Sequence, residues 1–176
     1  MNKSKTIRII GGSLKNSKIR IAEEGIKPTT DRVRVTLFNW LHARIANKRV
    51  LDLFAGSGIL GLEALSRDSE EVIFIERSKK ASMALDQQLA KFQIDNYKNK
   101  QVDAIQFLKQ KNKEARFDII FLDPPYGSYA IHEILSLIVM NNWIVKKGYV
   151  FYESNVPLDL KVVEPLWNIY RKSKAG

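Results

Sequence analysis

Val50-Leu51-Asp52-Leu53-Phe54-Ala55-Gly56-Ser57-Gly58-Ile59-Leu60-Gly61 is the stretch that decides the fold. Its first five residues are almost continuously apolar, as in a strand covered on both faces. Gly56, Gly58 and Gly61 then satisfy G-x-G-x-x-G, and Ile59–Ser66 reads as a helix. The same strand–turn–helix rhythm continues downstream. Strand-like runs occupy Val72–Glu76, a weak Lys100–Asp103, Phe117–Asp123 and Tyr149–Glu153, with helical stretches at Ser78–Phe92, Ala104–Lys111 and Tyr129–Asn142. Alternation at this spacing predicts a doubly wound α/β fold with a mostly parallel sheet. Ligands in such folds bind beyond the carboxyl ends of the strands, so the residues that end strands carry the functional argument.

Upstream the pattern differs. Thr6–Ile10 and Lys18–Ile21 are short β-branched runs around Gly11-Gly12 and Asn16-Ser17, which predicts a small β-hairpin. Lys27-Pro28-Thr29-Thr30-Asp31 reads as an extended segment with Thr29 or Thr30 as the cap of a helix. In that helix Val33, Leu37, Leu41 and Ile45 recur every fourth residue, with Phe38 beside them. The organisation is therefore a basic hairpin extension over residues 1–26 and an α/β domain over 27–176.

Composition narrows the chemistry. The 176 residues contain no cysteine and two histidines, His42 and His132. That excludes a disulfide scaffold, a thiol nucleophile and a cysteine-ligated metal, and gives no reason to expect a bound metal. No apolar run is long enough to span a membrane, and the first ten residues lack a signal-type apolar core, so a cytoplasmic protein is expected. The charge is lopsided. Residues 1–49 hold 12 Lys and Arg against three acids, while residues 50–176 hold 17 against 16. A basic end on a balanced domain suits a polyanion such as nucleic acid. Arg8, Lys15, Lys18, Arg20, Arg32 and Arg34 are the candidate contacts.

The strand ends supply the rest. Glu76 follows Gly56 by 20 residues, where it can accept from ribose hydroxyls. Asp52, just before the glycine loop, suits an amino-acid ammonium better than a pyrophosphate, which favours S-adenosylmethionine over a dinucleotide. Asp103 either accepts from an adenine amino group or caps the helix after it. Asp123-Pro124-Pro125-Tyr126 is the most specific signal. Two prolines remove two N–H donors, leaving carbonyls and the Asp123 carboxylate as acceptors beside an aromatic plate. Acceptors next to an aromatic face suit the exocyclic amine of a nucleobase.

With these residues in view, DLFAGSG, Glu76 and DPPY resemble a class I S-adenosylmethionine-dependent amino-methyltransferase. RIIGG at Arg8–Gly12, KPTTDRVR at Lys27–Arg34, TLFNWL at Thr36–Leu41 and LDLFAGSGILGLEALSR at Leu51–Arg67 resemble the RsmD family. The resemblance implies methylation of guanine N2 in the helix-31 loop of 16S ribosomal RNA, by a monomer acting on the rRNA within a ribosomal particle. It implies cofactor contacts at Thr30, Asp52, Phe54, Ala55, Gly56, Ser57, Gly58, Glu76, Arg77, Asp103 and Ala104. Asp123, Pro124, Pro125 and Tyr126 are the implied catalytic residues. One departure stands out: the family usually runs past a K-A-G stretch into a last antiparallel strand, whereas this sequence reaches Lys174-Ala175-Gly176, so either truncation or loss of that strand is expected. Two other assignments use the same residues: an amino-methyltransferase of adenine N6 or cytosine N4 in DNA, and a non-catalytic RNA-binding assembly factor.

Overall fold

A computed structural model describes residues 6–22, 29–125, 127, 129–163 and 166–174. Two strands, β1 (Thr6–Arg8) and β2 (Lys18–Arg20), pair antiparallel with Ile7 opposite Ile19, forming the expected hairpin. The expected boundary at residue 26 lies outside the described residues. Helix α1 (Asp31–Leu41) follows, and the α/β unit begins at β3 (Arg49–Asp52). Then come α2 (Ile59–Leu65), β4 (Glu71–Ile75), α3 (Lys79–Lys91), β5 (Tyr97–Lys100) and α4 (Ala104–Lys109). The chain continues through β6 (Phe117–Leu122), α5 (Ile131–Met140), β7 (Ile144–Tyr152) and α6 (Leu160–Val163).

The five later strands form one sheet in the order β5-β4-β3-β6-β7, every pair parallel. This is the doubly wound α/β fold expected from the sequence, and no antiparallel strand joins that sheet among the described residues. Alternation along each strand sorts its side chains into two cores. Val50, Val72, Phe74, Ile119 and Phe121 pack with α1, α2 and α3, and Ile9 and Ile19 of the hairpin join them. Leu51, Ile73, Ile75, Ile120 and Leu122 pack on the opposite face with α4 and α5. Such two-sided cover is why these strands read as unbroken apolar runs.

Two strands depart from the sequence expectation. The third of the α/β unit is Tyr97–Lys100, not Lys100–Asp103. It is a short polar edge strand, so hydrophobicity does not mark it. The last strand starts at Ile144, well before Tyr149, and its register against β6 shifts between Phe117 and Ile119. No helix among the described residues is long and apolar enough to cross a membrane.

Candidate functional site

The winding reverses between β3 and β6, whose connections lead to opposite sides of the sheet, and a crevice at the carboxyl ends follows from that reversal. Asp52 ends β3 opposite Phe121, and Asp123 stands two residues further along the neighbouring strand. Between them lies the glycine loop. Its backbone leaves the sheet through Leu53 N–H to Phe121 O (3.1 Å) and Ala55 N–H to Ile75 O (3.0 Å). Gly58 is left-handed at φ 74°, and a Cβ there would run into the Leu85 side chain, so only glycine fits. Gly61 lies flat against the Phe74 ring, and its N–H donates to Asp52 Oδ2 at 3.0 Å.

Three carboxylates meet around this loop. Glu76 accepts from Gly56 N–H through one oxygen and from Ser78 N–H through the other, both at 2.7 Å, which ties the loop to the end of β4. Asp123, half-buried, accepts from Thr29 Oγ1 at 2.7 Å. Burial pushes the Asp123 carboxyl up, and the Thr29 bond only partly offsets it. Asp52 is pushed to about 7 by burial, opposed by the Gly61 N–H and reinforced by the charges of Asp123 and Glu76. A crowd of negative charge of this kind favours a cationic ligand. The sulfonium and ammonium of S-adenosylmethionine fit that donor set, and the glycine loop leaves room for close approach.

A second group flanks the first. Asp103 caps α4 by accepting from Ile105 N–H (2.9 Å) and Gln106 N–H (3.1 Å). Its other oxygen accepts from Tyr129 Oη at 2.8 Å, and the Tyr129 ring lies 5.0 Å from that of Phe54. Burial raises the Asp103 carboxyl, but the bonds from Tyr129, Gln106 and Ile105, with the Arg77 charge, outweigh it and hold it below its ordinary range. Phe54, Tyr129, Asp103 and Arg77 thus make one wall, apolar in its middle and polar at its edge. Ala55, Ser57 and Ala104 are buried. Pro124 is half-buried and Pro125 exposed; Tyr126 lies outside the described residues.

The family model for conserved hypothetical protein 95 matches residues 7–176. Ribosomal RNA small subunit methyltransferase D of Escherichia coli K12 is 39% identical over 171 residues, spanning 97% of this chain and 85% of that protein. Its Haemophilus influenzae namesake is 35% identical over 173 residues, spanning 97% and 89%. Among solved structures, yhhF from Escherichia coli superposes with a TM-score of 0.85 at 36% identity, over 98% of this chain and 93% of that one. The chain belongs to the RsmD family of ribosomal RNA small subunit methyltransferases. The fold and the family-like motifs at Arg8–Gly12, Thr36–Leu41 and Leu51–Arg67 are thereby accounted for.

Membership of the RsmD family does not settle which cations meet RNA, and here the structure corrects the sequence reading. Arg8, Lys15, Lys18, Arg20 and Arg32 are exposed. Arg34 is not: its side chain has 0% exposure and is paired with Asp31 and Glu63, so it cannot reach a phosphate. Thr30 is exposed, and its hydroxyl caps α1 by accepting from Val33 N–H at 3.4 Å, while the neighbouring Thr29 hydroxyl donates to Asp123. Sequence reasoning does not single out Thr29 or Tyr129 as site residues. Their partners, Asp123 and Asp103, lie 94 and 26 residues away, and nothing local marks either one.

Proposed function

We propose that the protein transfers the methyl group of S-adenosylmethionine to the exocyclic N2 of a guanine in small-subunit ribosomal RNA, in the helix-31 loop. When bound, the cofactor supplies an electrophilic methyl on a positively charged sulfur. Glu76 accepts from the ribose hydroxyls, and the ionised Asp52 accepts from the ammonium. The wall of Phe54 and Tyr129 would pack against one face of the adenine, with Asp103, Ala104 and Arg77 at its polar edge.

The nitrogen of guanine N2 is a poor nucleophile because its lone pair is delocalised into the ring. Asp123 and the Pro124 carbonyl accept from its two N–H groups, turn the lone pair toward the methyl, and stabilise the positive charge that develops. The N–C bond forms as the C–S bond breaks, and one N2 proton must then leave. The raised proton affinity of Asp123 suits it to take that proton. Tyr126 stacks on the extruded base. Stacking contributes roughly 1–3 kcal/mol, close to the few kcal/mol that unstacking costs, so an unpaired guanine is the favoured target.

The observation that carries this reading is the Asp123 carboxylate at the end of a buried strand, held by Thr29 and crowded by Asp52. Asp123→Ala should bind S-adenosylmethionine as the wild type does while methyl transfer falls at least about a hundredfold. Nucleosides from ribosomal RNA of a strain lacking the gene should show the loss of one N2-methylguanosine, by mass spectrometry. An unchanged nucleoside profile, or an Asp123→Ala variant at near wild-type rate with saturating RNA, sinks the assignment.

A further inference from the structure

Glu63, on the fully buried helix α2, has 0% exposure yet carries a carboxylate. One of its oxygens accepts from the backbone N–H of Ile10 at 2.8 Å and from Arg34; the other accepts from Arg67. Arg34, also fully buried, donates onward to the Arg8 carbonyl at 2.9 Å and to Asp31 at 2.6 Å. At the end of the same helix Ser66 repeats the pattern. Its carbonyl accepts from Ser13 N–H (2.7 Å), and its hydroxyl donates to the Gly11 carbonyl (2.6 Å) and accepts from Leu14 N–H (2.9 Å). Gly12, left-handed at φ 78°, lies so close that a Cβ would overlap the Ser66 carbonyl. The hairpin is thus held by directional bonds to the Glu63 and Ser66 end of α2 at Ile10, Gly11, Ser13 and Leu14, and to Arg34 of α1 at Arg8.

Burial of Ile9 and Ile19 already supplies an apolar anchor for the hairpin. A buried ion cluster adds little net stability over apolar residues of the same volume, because desolvation offsets its attraction. What it adds is direction: a guanidinium fork and a carboxylate bond at only a few relative orientations. The other end of α2 is equally constrained. Gly61, two residues before Glu63, is bonded through its N–H to Asp52, and Gly58 caps the helix within the glycine loop. One helix of seven residues therefore carries the hairpin on one end and the cofactor loop on the other.

We infer that Glu63, Arg34 and Ser66 are positioning residues that fix the hairpin at one distance and angle from the methyl donor. This inference rests on the reading of the hairpin as the RNA arm. The cluster sets where bound RNA lies without touching it. Its charges also balance, Asp31 and Glu63 against Arg34 and Arg67, so it adds nothing to the cationic field that RNA senses.

The test compares full-length Glu63→Gln, Arg34→Lys and Ser66→Ala variants with one in which Lys15, Lys18 and Arg20 are all changed to Ala. For each, S-adenosylmethionine Kd, KM and kcat with a ribosomal RNA fragment, and the salt dependence of RNA affinity are measured. Glu63→Gln should raise the KM for RNA about tenfold and Ser66→Ala about threefold. The kcat, cofactor Kd and salt slope should stay within about twofold of wild type. The triple variant should instead flatten the salt slope, by about 0.7 for each phosphate left without its cation. If Glu63→Gln does not fold, Ser66→Ala decides. An unmoved KM in the folded variants, with a flattened slope in the triple variant, overturns the positioning role alone. A flattened slope in Arg34→Lys or Glu63→Gln also overturns it, since the cluster would then bind RNA directly. An unchanged slope in the triple variant means that the hairpin is not the RNA arm, and the inference falls with that reading.

Discussion

The two ends of α2 handle charge in opposite ways. Toward the hairpin, Glu63 and Asp31 meet Arg34 and Arg67, and the negative charges are matched within the fold. Toward the glycine loop, Asp52 is raised to about 7 by burial and by two more carboxylates, Asp123 and Glu76. The first arrangement is complete without a ligand. The second stores electrostatic strain that a cation relieves. A few ångströms of helix thus separate charges that serve architecture from charges that serve binding, and variants at the two ends should behave oppositely.

The largest effect belongs to the matched end. Glu63→Leu leaves two guanidinium groups facing a cavity without their carboxylate, and should cost about 3–5 kcal/mol. Thermal unfolding should move down by roughly 10 °C; a shift under about 2 °C would mean that the cluster relaxes into solvent.

At the crowded end the sign reverses. Asp52 has a folded value of about 7 against an ordinary 3.8, so the folded protein holds a proton that the unfolded chain has released. Stability therefore falls as pH rises from about 4 to about 7 and then levels, by up to ~4 kcal/mol. Asp52→Asn keeps an acceptor for Gly61 N–H and removes that loss, so urea denaturation at acid and neutral pH should show a flatter dependence in the variant. Cofactor affinity should move the other way. It should rise through pH 7 in the wild type as Asp52 ionises, and Asp52→Asn should lose that rise. Identical pH dependence in the two proteins would remove Asp52 from the argument.

A smaller effect tests the Thr29 bond. Thr29→Val deletes a donor to Asp123, a bond to a charged group worth roughly 1.5–3 kcal/mol. The Asp123 carboxyl should then rise further, moving the acidic limb of the kcat–pH profile to higher pH. A limb that stays in place would show that some other group sets it. The smallest effect is expected of Tyr129→Phe, which keeps the ring against Phe54 and loses only the hydroxyl on Asp103. Unfolding should ease by about 1 kcal/mol, with cofactor affinity within a few-fold by calorimetry. A tenfold loss would mean that the hydroxyl itself touches the cofactor.

Much of this contrast is legible in the sequence, and the illegible part has a common cause. Strands such as Phe117–Leu122 announce themselves because both faces are covered, and the glycine loop does so because Gly58 has no substitute. Asp52, Glu76 and Asp123 stand out because the fold class says where strands end. Arg34 reads as a surface cation because its acid partner Glu63 is 29 residues away, on a helix whose apolar neighbours give no hint of a buried charge. Of the Thr29–Thr30 pair, local pattern does not say which caps the helix and which reaches Asp123. Pairings across long sequence separations are set by packing, and a single sequence carries no direct trace of them.

The polar strand β5 that hydrophobicity fails to mark has a consequence of its own. It closes one side of the sheet with only four residues, Tyr97 to Lys100. Lys98 on it is engaged by Glu71 at 3.2 Å and Glu114 at 3.5 Å, and the Lys100 ammonium sits 5.5 Å from the centre of the Phe107 ring. A foreign strand annealing there would have to strip water from these lysines and find partners for a very short ladder. That rim is therefore a poor template for self-association.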